Sequence, residues 1–188
     1  MKKYFPYLMI ISLLYSCYTS PILKKITLNE NLSNSFVSCS GVQFESNSSH
    51  FISHGIGQSL DQSVSKKKAL SFARADLAQI LNTTMESVLS YYLFSMDKDN
   101  QSILKDRFYA IQREVIKKAI NQTIVVCENR TKTALGKFKT YIAIKKSTEE
   151  LINEFNSRVM LDRLLIKSFE SKVYEKYFFL EMKKLDSY

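Results

Sequence analysis

The side chains whose types and spacing could do chemistry are Cys17, Cys39 and Cys127, the histidines His50 and His54, and the acidic run Asp97, Lys98, Asp99, Asn100. A thiolate can be a nucleophile, a metal ligand or half of a disulfide. His50 and His54 stand four apart, a spacing that on a helix would bring two imidazoles to one metal ion. Ser46 to Gly57, however, is rich in Ser, Asn, His and Gly and reads as a loop; Gly55 and Gly57 oppose helix, and no Cys or carboxylate cluster flanks the pair. Both histidines are therefore expected to be solvated, and no metal is expected. Asp97 to Asn100 has the start of a calcium loop, but the sixth position is Ser102 in place of Gly and the twelfth is Phe108 in place of Glu. It reads as a polar connection between helices. Gly-x-Ser-x-Gly, His-Glu-x-x-His, Cys-x-x-Cys and phosphate-binding glycine loops are all missing from the sequence. No catalytic residue and no cofactor are expected, and the chain is not read as an enzyme.

Cys17 belongs to a different kind of signal. Lys2 and Lys3 precede an apolar run from Phe5 to Leu14, then Tyr15 and Ser16. This is the order of a secretory signal, with a basic start, a short apolar stretch and a small residue at the cleavage point. About ten apolar residues are too few for a membrane-spanning helix, which needs ~20, so residues 1–16 read as a cleaved signal. Leu14, Tyr15, Ser16 and Cys17 resemble the lipobox of bacterial lipoproteins, which implies cleavage before Cys17 and its diacylation. A plain secretory signal with a chance cysteine is the alternative. Each buried acyl CH₂ contributes about 0.8 kcal/mol, so two or three chains such as palmitate would hold the protein stably on a bilayer. No acidic residue directly follows Cys17, and the resemblance to envelope sorting then favours the outer membrane. Once Cys17 is acylated, Cys39 and Cys127 remain in a compartment that permits disulfides. They form either a bridge or two small buried hydrophobes on neighbouring strands.

Residues 17–35 are polar and mixed, with Pro21 and an Asn/Ser-rich run, and read as lipid anchor and tether. Phe36 to Glu45 is β-prone and is expected to be the first strand. From about Leu60 the period becomes helical. Ala69, Phe72, Ala73, Leu77, Ile80 and Val88 trace one face, opposite Lys67, Arg74 and Gln79. Asn82, Thr83 and Thr84 are expected to bend this helix or make it restart. Ile103 to Ile120 reads as a second helix, with Leu104, Phe108, Ile111, Val115 and Ala119 on one stripe.

Thr123 to Cys127 and the alternating Phe138 to Lys145 read as a β-hairpin joined through Asn129 to Gly136. Ser147 to Glu150 is a capping box that starts another helix. Neither Gly nor Pro follows, and an unbroken helix from Thr148 to Lys184 would be roughly 55 Å long. Either it breaks between Asn156 and Arg163 and folds back, or its distal part projects toward a partner. The apolar stretch from Tyr174 to Met182 reads as core. The expected class is α+β: a three-stranded, mainly antiparallel sheet packed by two or three long helices, with residues 36–155 as the domain and 156–188 as a helical extension.

That order of elements behind a lipobox resembles the twenty-kilodalton lipoprotein family of bacterial envelopes and the related amino-terminal domain of a flagellar-motor assembly protein. Two segments carry the resemblance. Gly55, Ile56 and Gly57 lead into Lys68 to Ala78, with alanines every four residues and the ending Ala73, Arg74, Ala75, Asp76, Leu77, Ala78; Lys137 to Ile144 matches the second signature. The family's tryptophan before the hairpin turn is absent. The resemblance implies a surface or envelope assembly module.

The chain has 188 residues and 27 basic against 18 acidic side chains, or +9. Without residues 1–16 two lysines go and the excess is +7. The basic doublets at Lys66 to Lys68, Lys117–Lys118, Lys145–Lys146 and Lys183–Lys184 read as solvated faces near anionic lipid. Nucleic acid is not expected, because an exported lipoprotein ordinarily lacks access to it. The partners expected are the membrane, through the acyl chains, and envelope proteins, including another copy through the C-terminal helix. The rival reading is a lipoprotein that binds a small ligand or a lipid.

Overall fold

A computed structural model describes residues 38–96 and 101–187. The fold is α+β, as expected: three antiparallel strands in the order β1-β3-β2, packed by four helices. The strands are β1 (His50–Ser59), β2 (Ile124–Lys132) and β3 (Phe138–Ser147). The helices are α1 (Gln62–Phe94), α2 (Gln101–Asn121), α3 (Thr148–Leu161) and α4 (Ser171–Met182).

The first strand is a correction. Val42–Phe44 is a 3-10 turn, and the strand is His50–Ser59, most of which had read as loop. Small residues there are a packing requirement. Phe51, Ser53, Gly55 and Gly57 alternate toward α1, and a Cβ on Gly55 would lie 1.9 Å from the Ala69 carbonyl oxygen, one on Gly57 2.0 Å from that of Ser65. Helix and strand therefore meet backbone to backbone. Two buried hydroxyls fasten the seam. Ser53 donates to the Ala73 carbonyl at 2.7 Å, and Ser65 donates to the Gly57 carbonyl at 3.0 Å. Because the Ser65 proton is then used, the Thr140 hydroxyl donates to Ser65 Oγ at 2.7 Å.

Helix α1 begins at Asp61, whose side chain accepts from the Val64 N–H, and runs unbroken through Asn82 to Thr84, where a bend had been expected. Ala69, Ala73, Leu77, Leu81, Met85 and Val88 form its buried face; Phe72 points outward and Ile80 is half-buried. Of the α2 stripe, Leu104, Phe108, Val115 and Ala119 are buried as read, and Ile111 is half-buried against the core. The hairpin is present, but its strands extend through the expected link as far as Lys132, and the turn is confined to Thr133–Lys137, with Gly136 at φ 73°. Ser147 caps α3 by accepting from the Glu150 N–H at 3.3 Å.

The long C-terminal helix breaks. α3 ends at Leu161, and Asp162 turns the chain by accepting from the Leu164 and Leu165 N–H groups while pairing with Arg107 at 2.8 Å. Burial raises the Asp162 carboxyl, but these donors outweigh it and hold the pKa below the usual value. α4 then returns to the core, placing Tyr174, Phe178 and Met182 in full burial. Tyr174 stacks on Phe155 with centroids 4.4 Å apart and meets Tyr92 edge-on at 5.8 Å. From inside, the Tyr92 hydroxyl accepts the Glu170 N–H at 2.9 Å, just ahead of α4. Residues 156–187, read as an extension, thus share the aromatic core of the described residues up to 155.

Candidate interaction surfaces

Cys17 and the tether lie outside the described residues, as do Asp97 to Asn100. Cys39 and Cys127 are bonded to each other, with Cα atoms 5.6 Å apart and a separation of 88 positions in sequence. Of the two arrangements the sequence left open, the bridge is the one formed, and only Cys127 is on a strand. Cys39 adopts φ 50°, a left-handed backbone that non-glycine residues seldom take.

The bond fixes a cover on the sheet face that α1 does not occupy. Cys39, Ile52 and Ala143 are buried there, with Phe44, Val126 and Tyr141 packed around them. Ser46 Oγ accepts the Ile52 N–H at 2.8 Å and donates to its carbonyl at 3.0 Å, which ties the segment to β1. Beyond this cover no described segment lies on the face. His54, Ile56 and Gln58 on β1 are exposed beside Tyr141 and Lys139 on β3, and the Lys139 ammonium stands 5.0 Å over the Tyr141 ring.

The histidines are strand residues, a second correction to the loop reading. At four positions' separation along β1 they sit about 13 Å apart, too far to share an ion. His50 is half-buried, 3.3 Å from Asn47 Nδ2, and burial together with the charge of Lys145 lowers its pKa. Among the described residues no group of three or more His, Cys, Asp or Glu is placed to hold a metal, and no helix is long and apolar enough to cross a membrane.

Several of the basic doublets are tied down rather than merely solvated. Lys66 pairs with Glu128 at 2.7 Å, Lys118 with Glu154 at 2.6 Å and Lys146 with Glu150 at 2.6 Å; the Lys146 side chain is only 6% exposed. Hydrogen bonds from Lys118, then Arg158, hold the Glu154 carboxyl below its ordinary pKa. Lys67, Lys117 and Lys183 remain exposed. Sequence reasoning missed the charged stretch on β2, where Arg130 joins Glu128 at 3.0 Å. It had been assigned to the turn, although alternation continues through Glu128, Arg130 and Lys132.

Two of the grooves on the described surface border the helices that follow the sheet. One of about 350 Å³ between α2 and α3 is lined by the Lys118–Glu154 and Lys146–Glu150 pairs. A larger one of about 800 Å³ lies between the start of β1, the start of α3 and α4, with Thr148, Ile152, Phe179 and Lys183 on its walls. Comparison with known proteins finds no matching family model, no match among curated proteins and none among solved structures.

Proposed function

We propose that this chain is a lipid-anchored, non-enzymatic envelope protein, acylated at Cys17 and held at the outer membrane, where it acts as a structural or protein-interaction module. The observation that carries the reading is the division of its three cysteines. Cys39 and Cys127 satisfy each other across 88 residues, which suits an oxidising compartment, while Cys17 stands alone at the lipobox position behind a signal-like segment. The resemblance to the twenty-kilodalton lipoprotein family supports it through residues with a physical role: Gly55 and Gly57 receive the backbone of the alanine-spaced helix. Its partners in this reading are the bilayer, envelope proteins and further copies of itself, the exposed Phe179 and Leu180 of α4 being one contact available to them. Nucleic acid is not among them.

Replacing Cys17 by Ser tests the anchor. Wild-type protein should enter the detergent phase and incorporate labelled palmitate, and Cys17→Ser should do neither; continued partitioning of the variant would overturn the reading. The second reading, binding of a small ligand or lipid, is favoured by one feature, the groove of about 800 Å³ with Phe179 and Lys183 on its wall. Native mass spectrometry of protein extracted from envelopes separates the two, because a co-purifying ligand of constant mass would support the second.

A further inference from the structure

β2 is the terminal strand in the order β1-β3-β2: its ladder with β3 uses one edge, and among the described residues no strand pairs with the other. Such an edge is a template for another strand. α1 packs over β1 and β3 and reaches β2 through the Lys66–Glu128 pair. What distinguishes β2 is that Asn129 is flanked by opposite charges, Glu128 and Arg130, on one face of the strand. We propose that β2 pairs antiparallel with β2 of a second copy of this chain, centred on Asn129, joining two sheets into one of six strands.

In that register each Glu128 stands directly opposite Arg130 of the second copy, twice over by symmetry, on the face that carries α1. Opposite charges across a pair favour it and like charges oppose it. The neighbouring registers are worse. Centring on Glu128 or on Arg130 sets that charge against itself, and odd offsets would face side chains from opposite sides of the sheet. Asn129, whose amide nitrogen lies 3.9 Å from Cys127 Sγ of its own strand, faces its own counterpart at the centre. Exposed apolar groups supply the second argument. Past Lys132 the chain turns back to β3, which leaves the turn residue Leu135, 80% exposed, at the end of the ladder on the side of Ile124 and Val125 of the second copy, which are 61% and 44% exposed. The register shift between Val125 and Cys127 ends regular pairing there, so the apolar contact closes each end of a short ladder. The interface is isologous and therefore stops at two copies.

This deepens the interaction-module reading by naming a partner, and it rests on that reading only for its location; pairing does not require an acylated Cys17. The test uses the full chain in detergent, in wild-type and Cys17→Ser backgrounds. Facing residues of an antiparallel pair have Cα atoms about 4.5–5.5 Å apart, within disulfide range. Asn129→Cys should therefore give a dimer on a non-reducing gel that reductant dissolves, and its cross-linked peptide should join position 129 to position 129. Lys132→Cys, about 20 Å from its counterpart, should not. In sedimentation, Arg130→Glu should weaken the dimer at least tenfold, and adding Glu128→Arg should restore it. A wild-type chain that stays monomeric at all concentrations, equal cross-linking at 129 and 132, or no rescue by the swapped pair would overturn the proposal. Loss of membrane partitioning by Cys17→Ser with the cross-link intact would leave it standing, and a cross-link without any lipid on Cys17 would fail the anchor alone.

Discussion

The two faces of the sheet are closed by different means. On one, α1 lies so close that glycines at 55 and 57 are required, and behind it Phe51, Tyr92, Phe108, Phe155, Tyr174 and Phe178 build a continuous core. On the other, a short segment around Cys39 to Ser46 covers Ile52 and Ala143 and is held by one disulfide and the paired hydrogen bonds of Ser46 to Ile52. The first face is stable because many side chains interlock. The second has too little apolar area for that and substitutes a covalent constraint, leaving His54 and Ile56 exposed and the outer edge of β2 unpaired among the described strands.

The largest effect should come from closing the α1 seam to its own backbone. Gly55→Ala puts a methyl 1.9 Å from the Ala69 oxygen and 2.6 Å from the Ala73 nitrogen, so a backbone must move. The expected loss is about 3 kcal/mol or more, read as a lost or greatly lowered unfolding midpoint. Near-wild-type stability would mean that the helix is not seated there. Cys39→Ser with Cys127→Ser should come next, at about 2–4 kcal/mol, since the bond closes a long loop. Hydrogen exchange should show the Ile52 amide opening while β3 amides under α1 stay protected; uniform loss would erase the contrast between the faces.

A smaller change of opposite sign is expected on the helical side. The Tyr174 hydroxyl is fully buried without a hydrogen-bond partner, and burial raises its pKa. Tyr174→Phe should therefore stabilise by about 1 kcal/mol, measured by denaturant titration, whereas a loss would reveal a partner for the hydroxyl. The smallest effect belongs to the thin side. His50 has a lowered pKa in the folded protein, so the unfolded chain takes its proton first. Stability should be full above the ordinary histidine value of about 6.5 and decline slightly as pH falls from there through the folded pKa. His50→Gln should flatten that part of a melting-temperature profile, and an unchanged slope would remove His50 as its source.

The sequence made the helices easier to read than the first strand, for a physical reason. Ala69, Ala73 and Leu77 announce a buried helical face by their spacing alone. Ser53, Gly55 and Gly57 are also buried, yet small and polar residues look like a loop until the helix they accommodate is in place. The capping box at Ser147 was legible because the cap is local. The return of α4 was legible only as one of two outcomes, because it depends on Asp162 finding Arg107 and on Tyr92 meeting Glu170, contacts between residues far apart in sequence. The disulfide stayed open for the same reason: spacing cannot bring Cys39 to Cys127, but the cover on the outer sheet face does. The β2 charges were lost to the turn because Asn129 suggested one, although the strand runs three residues further.

One measurement bears most directly on the anchor and on the second face together: the intact mass, under non-reducing conditions, of the protein extracted from bacterial envelopes. The mass expected is that of the chain from Cys17 onward, carrying acyl chains on that residue and lacking the two thiol protons of Cys39 and Cys127. A chain that starts elsewhere with an unmodified N-terminus, or one in which Cys39 and Cys127 both take up an alkylating reagent, would contradict it.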